Sequence, residues 1–127
     1  MADRDSRDLK ILLVEDVEDT RFYMRLELER LGFIVFEADN GKTAVQLATT
    51  ELPNVILMDL SLPQMNGFAA AKLIRQIDGL GTIPLIAVTA HHETDFRADA
   101  KASGFGAYVT KPVDIVSLKE LIDGLLI

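Results

Sequence analysis

Five short apolar runs punctuate the chain: Ile11 to Val14, Ile34 to Phe36, Val55 to Met58, Leu85 to Val88 and Ala107 to Val109. Each has the length of a strand, and β-branched residues recur among them. The first, third and fourth are apolar at every position, the pattern of strands covered on both faces. Longer stretches with helical spacing lie between. Val17, Met24, Leu28 and Leu31 share one helical face, and Gly32 stands where such a helix stops. Ala44, Leu47 and Ala48 repeat the i, i+3, i+4 spacing after Asp39-Asn40-Gly41, and Phe68, Ala71 and Ile74 mark a third amphipathic stretch. The fourth stretch, Glu93 to Ser103, is Ala-rich, with Phe96 as its one large apolar residue. The fifth carries the stripe Leu118, Leu121, Ile122 and Leu125 behind Asp114, a residue suited to the N-cap. Gly124 within it lowers helix propensity by about 1 kcal/mol relative to Ala.

Strand and helix alternate throughout. Parallel neighbours need crossover connections, and here the connections are helical, so the expected fold is α/β: a five-stranded parallel sheet with helices on both faces. At 127 residues the chain has room for one domain with a real core. No linker, repeat or low-complexity segment interrupts the alternation, and residues 1–8 read as a loose tail before a domain over 9–127.

Composition narrows the function. There is no cysteine, which removes disulfides and thiolate metal sites and fits a reducing compartment. No apolar run approaches the roughly 18 residues of a membrane span, and the charged start Met1 to Asp8 has no apolar segment behind it, so the expected location is the cytoplasm. Twenty acidic against thirteen basic residues give a formal charge of −7, which repels nucleic acid and anionic lipid. Neither is an expected partner.

Four of the five apolar runs hand over to residues with chemistry in them: Glu15 and Asp16, Asp59, Thr89, and Lys111 with Pro112. In an open parallel sheet the carboxyl ends of the strands form the ligand crevice, so residues far apart in sequence converge there. Three carboxylates held close repel one another unless a proton or a cation intervenes. Oxygen-only ligands without His or Cys favour a hard ion, and two or three carboxylates leaving room for water and a phosphate oxygen suit Mg²⁺. A lysine and a hydroxyl beside them complete a phosphoryl-transfer site in which one carboxylate attacks.

The segments LLVED, VILMDLSLPQMNG, LIAVTA and AYVTKP together resemble the receiver domain of two-component response regulators, of the single-domain, chemotaxis-regulator-like kind, from about Leu9 to the end. The resemblance implies a flavodoxin-like (βα)5 fold with strand order 2-1-3-4-5. It makes Asp59 the phosphoacceptor, taking a phosphoryl group from a histidine kinase or a histidine phosphotransfer protein. Asp16 becomes a direct Mg²⁺ ligand, Glu15 one acting mainly through water, and the main-chain carbonyl of Ser61 completes the set with Asp59. Thr89 is implied as the switch hydroxyl, Lys111 as the cation paired with the phosphoryl group, and Tyr108 as the aromatic that moves with Thr89. The Lys111 to Pro112 peptide is implied to be cis. Ser61 and His91, each two residues beyond a site residue, occupy positions that tune dephosphorylation. Such a domain is no enzyme beyond its own phosphorylation and dephosphorylation. It signals to a downstream protein through the face of the fourth helix, fifth strand and fifth helix, or passes the group on in a phosphorelay.

Other readings attach to the same residues. Asp59 alone could cap a turn, Glu15 and Asp16 could complement a helix N-terminus, and Tyr108 could be an ordinary strand aromatic. A Mg²⁺-dependent phosphohydrolase with an aspartyl nucleophile usually has a second acid two residues on, where this chain has Ser61. A receiver-like interaction domain that never takes phosphate has no physical reason to keep clustered carboxylates. Phe105 and Gly106 depart from the family's usual smaller residue and acid, which makes partner contacts there individual to this chain. The poor apolar content of the fourth stretch suits an element that moves.

Overall fold

Successive residues of a strand point to opposite faces of a sheet, so a fully apolar strand must be covered twice. The computed structural model, which describes residues 9–90 and 101–126, meets that requirement. Strands β1 (Lys10–Val14), β2 (Ile34–Ala38), β3 (Val55–Asp59), β4 (Leu85–Thr89) and β5 (Ala107–Thr110) form one parallel sheet in the order β2-β1-β3-β4-β5. Helices α1 (Glu18–Arg30), α2 (Gly41–Glu51), α3 (Gly67–Arg75) and α4 (Ile115–Leu125) cover it. On one face Leu12, Val14, Ile56, Met58, Leu85 and Ala87 pack with Ala44 and Ala48 of α2 and with Ala70, Ala71 and Ile74 of α3. Small side chains there let the two helices lie close to the sheet and to each other. On the other face Ile11, Leu13, Val55, Leu57, Ile86 and Val88 meet Met24 and Leu28 of α1 and Leu118 and Ile122 of α4.

Helix ends follow the local sequence. Asn40 caps α2 by accepting from the Thr43 amide at 2.8 Å, and Asn66 caps α3 by accepting from Ala69 at 3.0 Å. Asp114 caps α4 through the Val116 amide and the Ser117 hydroxyl, as its position predicts. Gly32, at φ 99°, ends α1 as expected. Val17 departs from expectation. It is the N-cap of α1 with an extended backbone and an exposed side chain, not part of the buried stripe, because its amide is drawn to the Glu15 carboxylate at 3.1 Å. At the other end of the last helix, Leu125 is exposed too.

Residues 91–100, which include His91 and most of the fourth predicted stretch, lie outside the described residues. The chain re-enters with helical backbone at Lys101 and Ala102 and turns at Gly104, φ 104°. Phe105 follows, and it is a core residue, 4% exposed in the cluster with Leu80 and Leu85. Its side chain serves packing, whatever contacts the neighbouring surface makes. Arg75 ties this turn to the end of α3. Its guanidinium donates twice to the Gly104 carbonyl, at 2.6 and 3.0 Å, and once each to the carbonyls of Leu80 and Ile83.

Candidate functional site

The sheet register decides which strand ends meet. Val14 pairs with Met58 and Asp59 with Val88, so the residues just beyond β1 and at the tip of β3 are neighbours. Thr89 pairs with Thr110, which brings the start of the β5–α4 loop to the same edge. Glu15, Asp59 and Thr89 are all buried there, at 2%, 6% and 1% exposure, while Asp16 is exposed.

Lys111 closes the group. Its ammonium lies 2.6 Å from Glu15 Oε1 and 2.7 Å from Asp59 Oδ2, and its amide donates to the Thr89 carbonyl at 2.7 Å. The peptide that follows it, Lys111 to Pro112, is cis, as the resemblance implies. Asp59 Oδ1 accepts from the Ser61 amide at 2.8 Å, so both carboxylate oxygens of Asp59 are engaged. Glu15 is held at both ends: its amide donates to Ala38, its carbonyl accepts from Arg21 at 2.8 Å, and its carboxylate accepts from Val17. Sequence reasoning missed Arg21. Its guanidinium bridges the Glu15 carbonyl and the Glu37 carboxylate, and only the fold places Glu37 beside it.

Two buried carboxylates share one ammonium. Burial pushes the Glu15 carboxyl above its ordinary value, the charge of Asp59 adds to that push, and the hydrogen bonds from Lys111 and Val17 offset it only in part. Burial alone would lower Lys111, but its bonds to Asp59 and Glu15 win and hold the ammonium above its usual range. Glu15, Asp16 and Asp59 each offer a carboxylate oxygen, and the three lie within 4.8 Å of one another. Among the described residues, three carboxylates gathered around the one lysine ammonium that pairs with two of them leave an excess of negative charge. That donor set, hard oxygens without nitrogen or sulfur, fits a divalent cation of the Mg²⁺ kind.

Tyr108 is half-buried on β5 and packs against the α2/α3 side of the core, one strand position from Val109 and within reach of the β4 end by register. Beside the lysine, a groove of about 540 Å³ opens between α1 and the β5–α4 loop, lined by Thr20, Tyr23, Met24, Pro112, Val113 and Ile115 among others. Tyr23, which lines it, is exposed, as is Phe22 on the same helix.

Residues 11–123 match the family model described as the response regulator receiver domain. The chain belongs to that family. Receivers take a phosphoryl group onto an aspartate in a Mg²⁺-dependent reaction and work with histidine kinases and phosphotransfer proteins. The chain is 40% identical over 114 residues to an uncharacterized 14.6 kDa protein of Leptolyngbya boryana, covering 90% of this chain and 87% of that one. It is 35% identical to protein PilH of Pseudomonas aeruginosa, over 92% of this receiver and 97% of PilH. Among solved structures, the receiver domain of a sensor histidine kinase of Pseudomonas aeruginosa PAO1, with magnesium coordinated in its active-site cleft, superposes with a TM-score of 0.87 at 30% identity. That match covers 93% of this chain and 97% of the other. No helix among the described residues is long and apolar enough to cross a membrane.

Proposed function

We propose that this receiver is phosphorylated on Asp59 and that Glu15, Asp16, Asp59 and the Ser61 carbonyl hold the Mg²⁺ the reaction uses. The observation that supports this reading is the position of Asp59: a buried carboxylate at a strand tip, bonded to Lys111 and the Ser61 amide, beside two further acids. When bound, Mg²⁺ neutralises charge on the phosphoryl oxygens. The chain does the rest. An Asp59 oxygen forms the new P–O bond as the bond from phosphorus to the donor imidazole nitrogen breaks. Lys111 leaves its pairing with the carboxylate and follows the charge onto the phosphoryl group. Thr89, at the tip of the adjacent strand, supplies a hydroxyl to the same group.

The donor is a phosphohistidine on a kinase or phosphotransfer protein. Movement of Thr89 is coupled to Tyr108 and so to the surface of β5, α4 and the residues before Lys101, through which a downstream protein is bound or the group is relayed. Residues 9–127 act as one receiver, with 1–8 as a tail, in the cytoplasm and without nucleic acid or membrane contact. The chain's only chemistry is its own phosphorylation and dephosphorylation, tuned at Ser61 and His91.

Intact-protein mass after incubation with a small-molecule phosphodonor tests this. The native chain gains one phosphoryl group only with Mg²⁺, and Asp59→Asn gains none. A folded native chain that gains nothing overturns the assignment and leaves a phosphate-independent interaction domain.

A further inference from the structure

The loop from Leu60 to Asn66 carries Ser61 and is exposed at Ser61, Pro63, Gln64 and Asn66. Leu60 is buried and Leu62 and Met65 pack partly against the core, so the side chains anchor the loop while the backbone conformation at its tip is set by close main-chain neighbours. Two consecutive non-glycine residues, Gln64 and Met65, have positive φ, at 49° and 94°. Such backbone persists only where the surroundings impose it, at a cost on the order of 1–3 kcal/mol per residue.

The surroundings are two glycines. At Gly67 a Cβ would stand 2.5 Å from the Asp59 carbonyl oxygen and 2.9 Å from Leu60 Cα, so the loop's return lies directly against the tip of β3. At Gly41 the approach is closer: a Cβ would stand 2.0 Å from the Met65 carbonyl oxygen and 2.9 Å from its carbon. The Gly41 amide also faces the Pro63 carbonyl at 3.5 Å. Gly41 is itself buried and anchored, because Asn40 beside it caps α2 and bonds Asp39 and Thr43. With main chain against main chain and α2 fixed, the loop is the part that must yield to any side chain at 41.

We propose that Gly41 is a positioning residue for the phosphoacceptor site. Its missing side chain lets the β3–α3 loop seat on the first turn of α2, and that seat fixes both main-chain groups of Ser61: the amide that holds Asp59 Oδ1 and the carbonyl assigned to the metal. The site therefore depends on an element, α2, that contributes no ligand. The inference rests on the proposed metal set, and the experiment separates the two.

Mg²⁺ is titrated into the full chain and followed by the amide shifts of Ser61 and Val17, alongside the Mg²⁺ dependence of phosphorylation. In Gly41→Ala the Ser61 amide shifts even without metal, and the Mg²⁺ dissociation constant rises about ten-fold, the scale of losing a group that orients a ligand. The maximal phosphorylation rate at saturating Mg²⁺ falls much less. Gln46→Gly, exposed on the same helix and more than a turn beyond Gly41, weakens α2 without moving either reading. Pro63→Gly, which loosens the loop from its own side, raises the dissociation constant in the same direction. A folded Gly41→Ala chain with native Ser61 shifts and native Mg²⁺ affinity overturns the proposal, as does native affinity in Pro63→Gly should Gly41→Ala not fold. A native chain that binds no Mg²⁺ overturns the metal assignment and the proposal's carbonyl arm with it, whereas a displaced Ser61 amide in Gly41→Ala still reports the seat.

Discussion

Replacing Lys111 with methionine keeps most of the aliphatic stem and removes the ammonium that, among the described residues, pairs with both buried carboxylates. At an effective dielectric of about 20, charges at the separations found here, 2.6 and 2.7 Å, attract by roughly 6 kcal/mol each before desolvation is counted. Without the ammonium, carboxylate oxygens within 4.8 Å of each other repel by at least about 3.5 kcal/mol on the same scale. Removing one partner of a buried pair typically costs 3–5 kcal/mol, and because the lysine side chain keeps 23% of its exposure the expected loss is near the lower end, about 3 kcal/mol. Urea unfolding in EDTA at neutral pH measures it. The pH dependence has a definite sign. Glu15 is already raised by burial and rises further without Lys111, so on acidification the native state takes up a proton before the unfolded chain does, and the deficit shrinks as pH falls through the raised value. At the alkaline end Lys111 is raised in the folded chain, so its stabilisation is complete below its ordinary value and lost as pH climbs through the raised one, and native and variant converge again. Mg²⁺ stabilises the variant more than the native chain, since no ammonium has to leave the carboxylates. A deficit under about 1 kcal/mol in EDTA, or one indifferent to pH, refutes the charge argument.

Arg75→Met is expected to cost about 2–4 kcal/mol in the same unfolding assay, because it strands three carbonyls that one guanidinium now satisfies, and to increase amide exchange at Gly106, whose own bond to Leu85 lies beside the freed turn. Phe105→Ala should cost about 3–5 kcal/mol with phosphorylation retained at temperatures where the chain stays folded. Asn40→Ala, which removes a buried cap with three bonds, should lower stability by about 1–2 kcal/mol and weaken Mg²⁺ binding through the same loop that Gly41 seats. Apparent Mg²⁺ affinity, read by the Ser61 amide, should fall as pH drops through the raised Glu15 value, because the proton and the cation compete for one carboxylate.

Much of this was legible along the chain. Fully apolar runs at Ile11, Val55 and Leu85 meant strands covered on both faces, and the helical spacing between them meant parallel crossovers, because both periods are properties of local backbone geometry. The acids, threonine and lysine at the run ends were legible as residues the fold brings to one edge, since strand tips of a parallel sheet converge whatever their separation in sequence. Local pattern failed where a tertiary partner outbid it: Val17 has the spacing of a buried helix residue, yet its amide answers the Glu15 carboxylate and its side chain faces water. Only the folded chain decided that Lys111 sits between Glu15 and Asp59, that Arg21 reaches both Glu15 and Glu37, and that Gly41 of α2 lies against Met65 across a gap with no room for a methyl group. Those are distances between elements fixed by sheet register and by the close approach of alanine-lined helices. Sequence periodicity carries which face a residue takes, and it carries nothing about how near another element comes to that face.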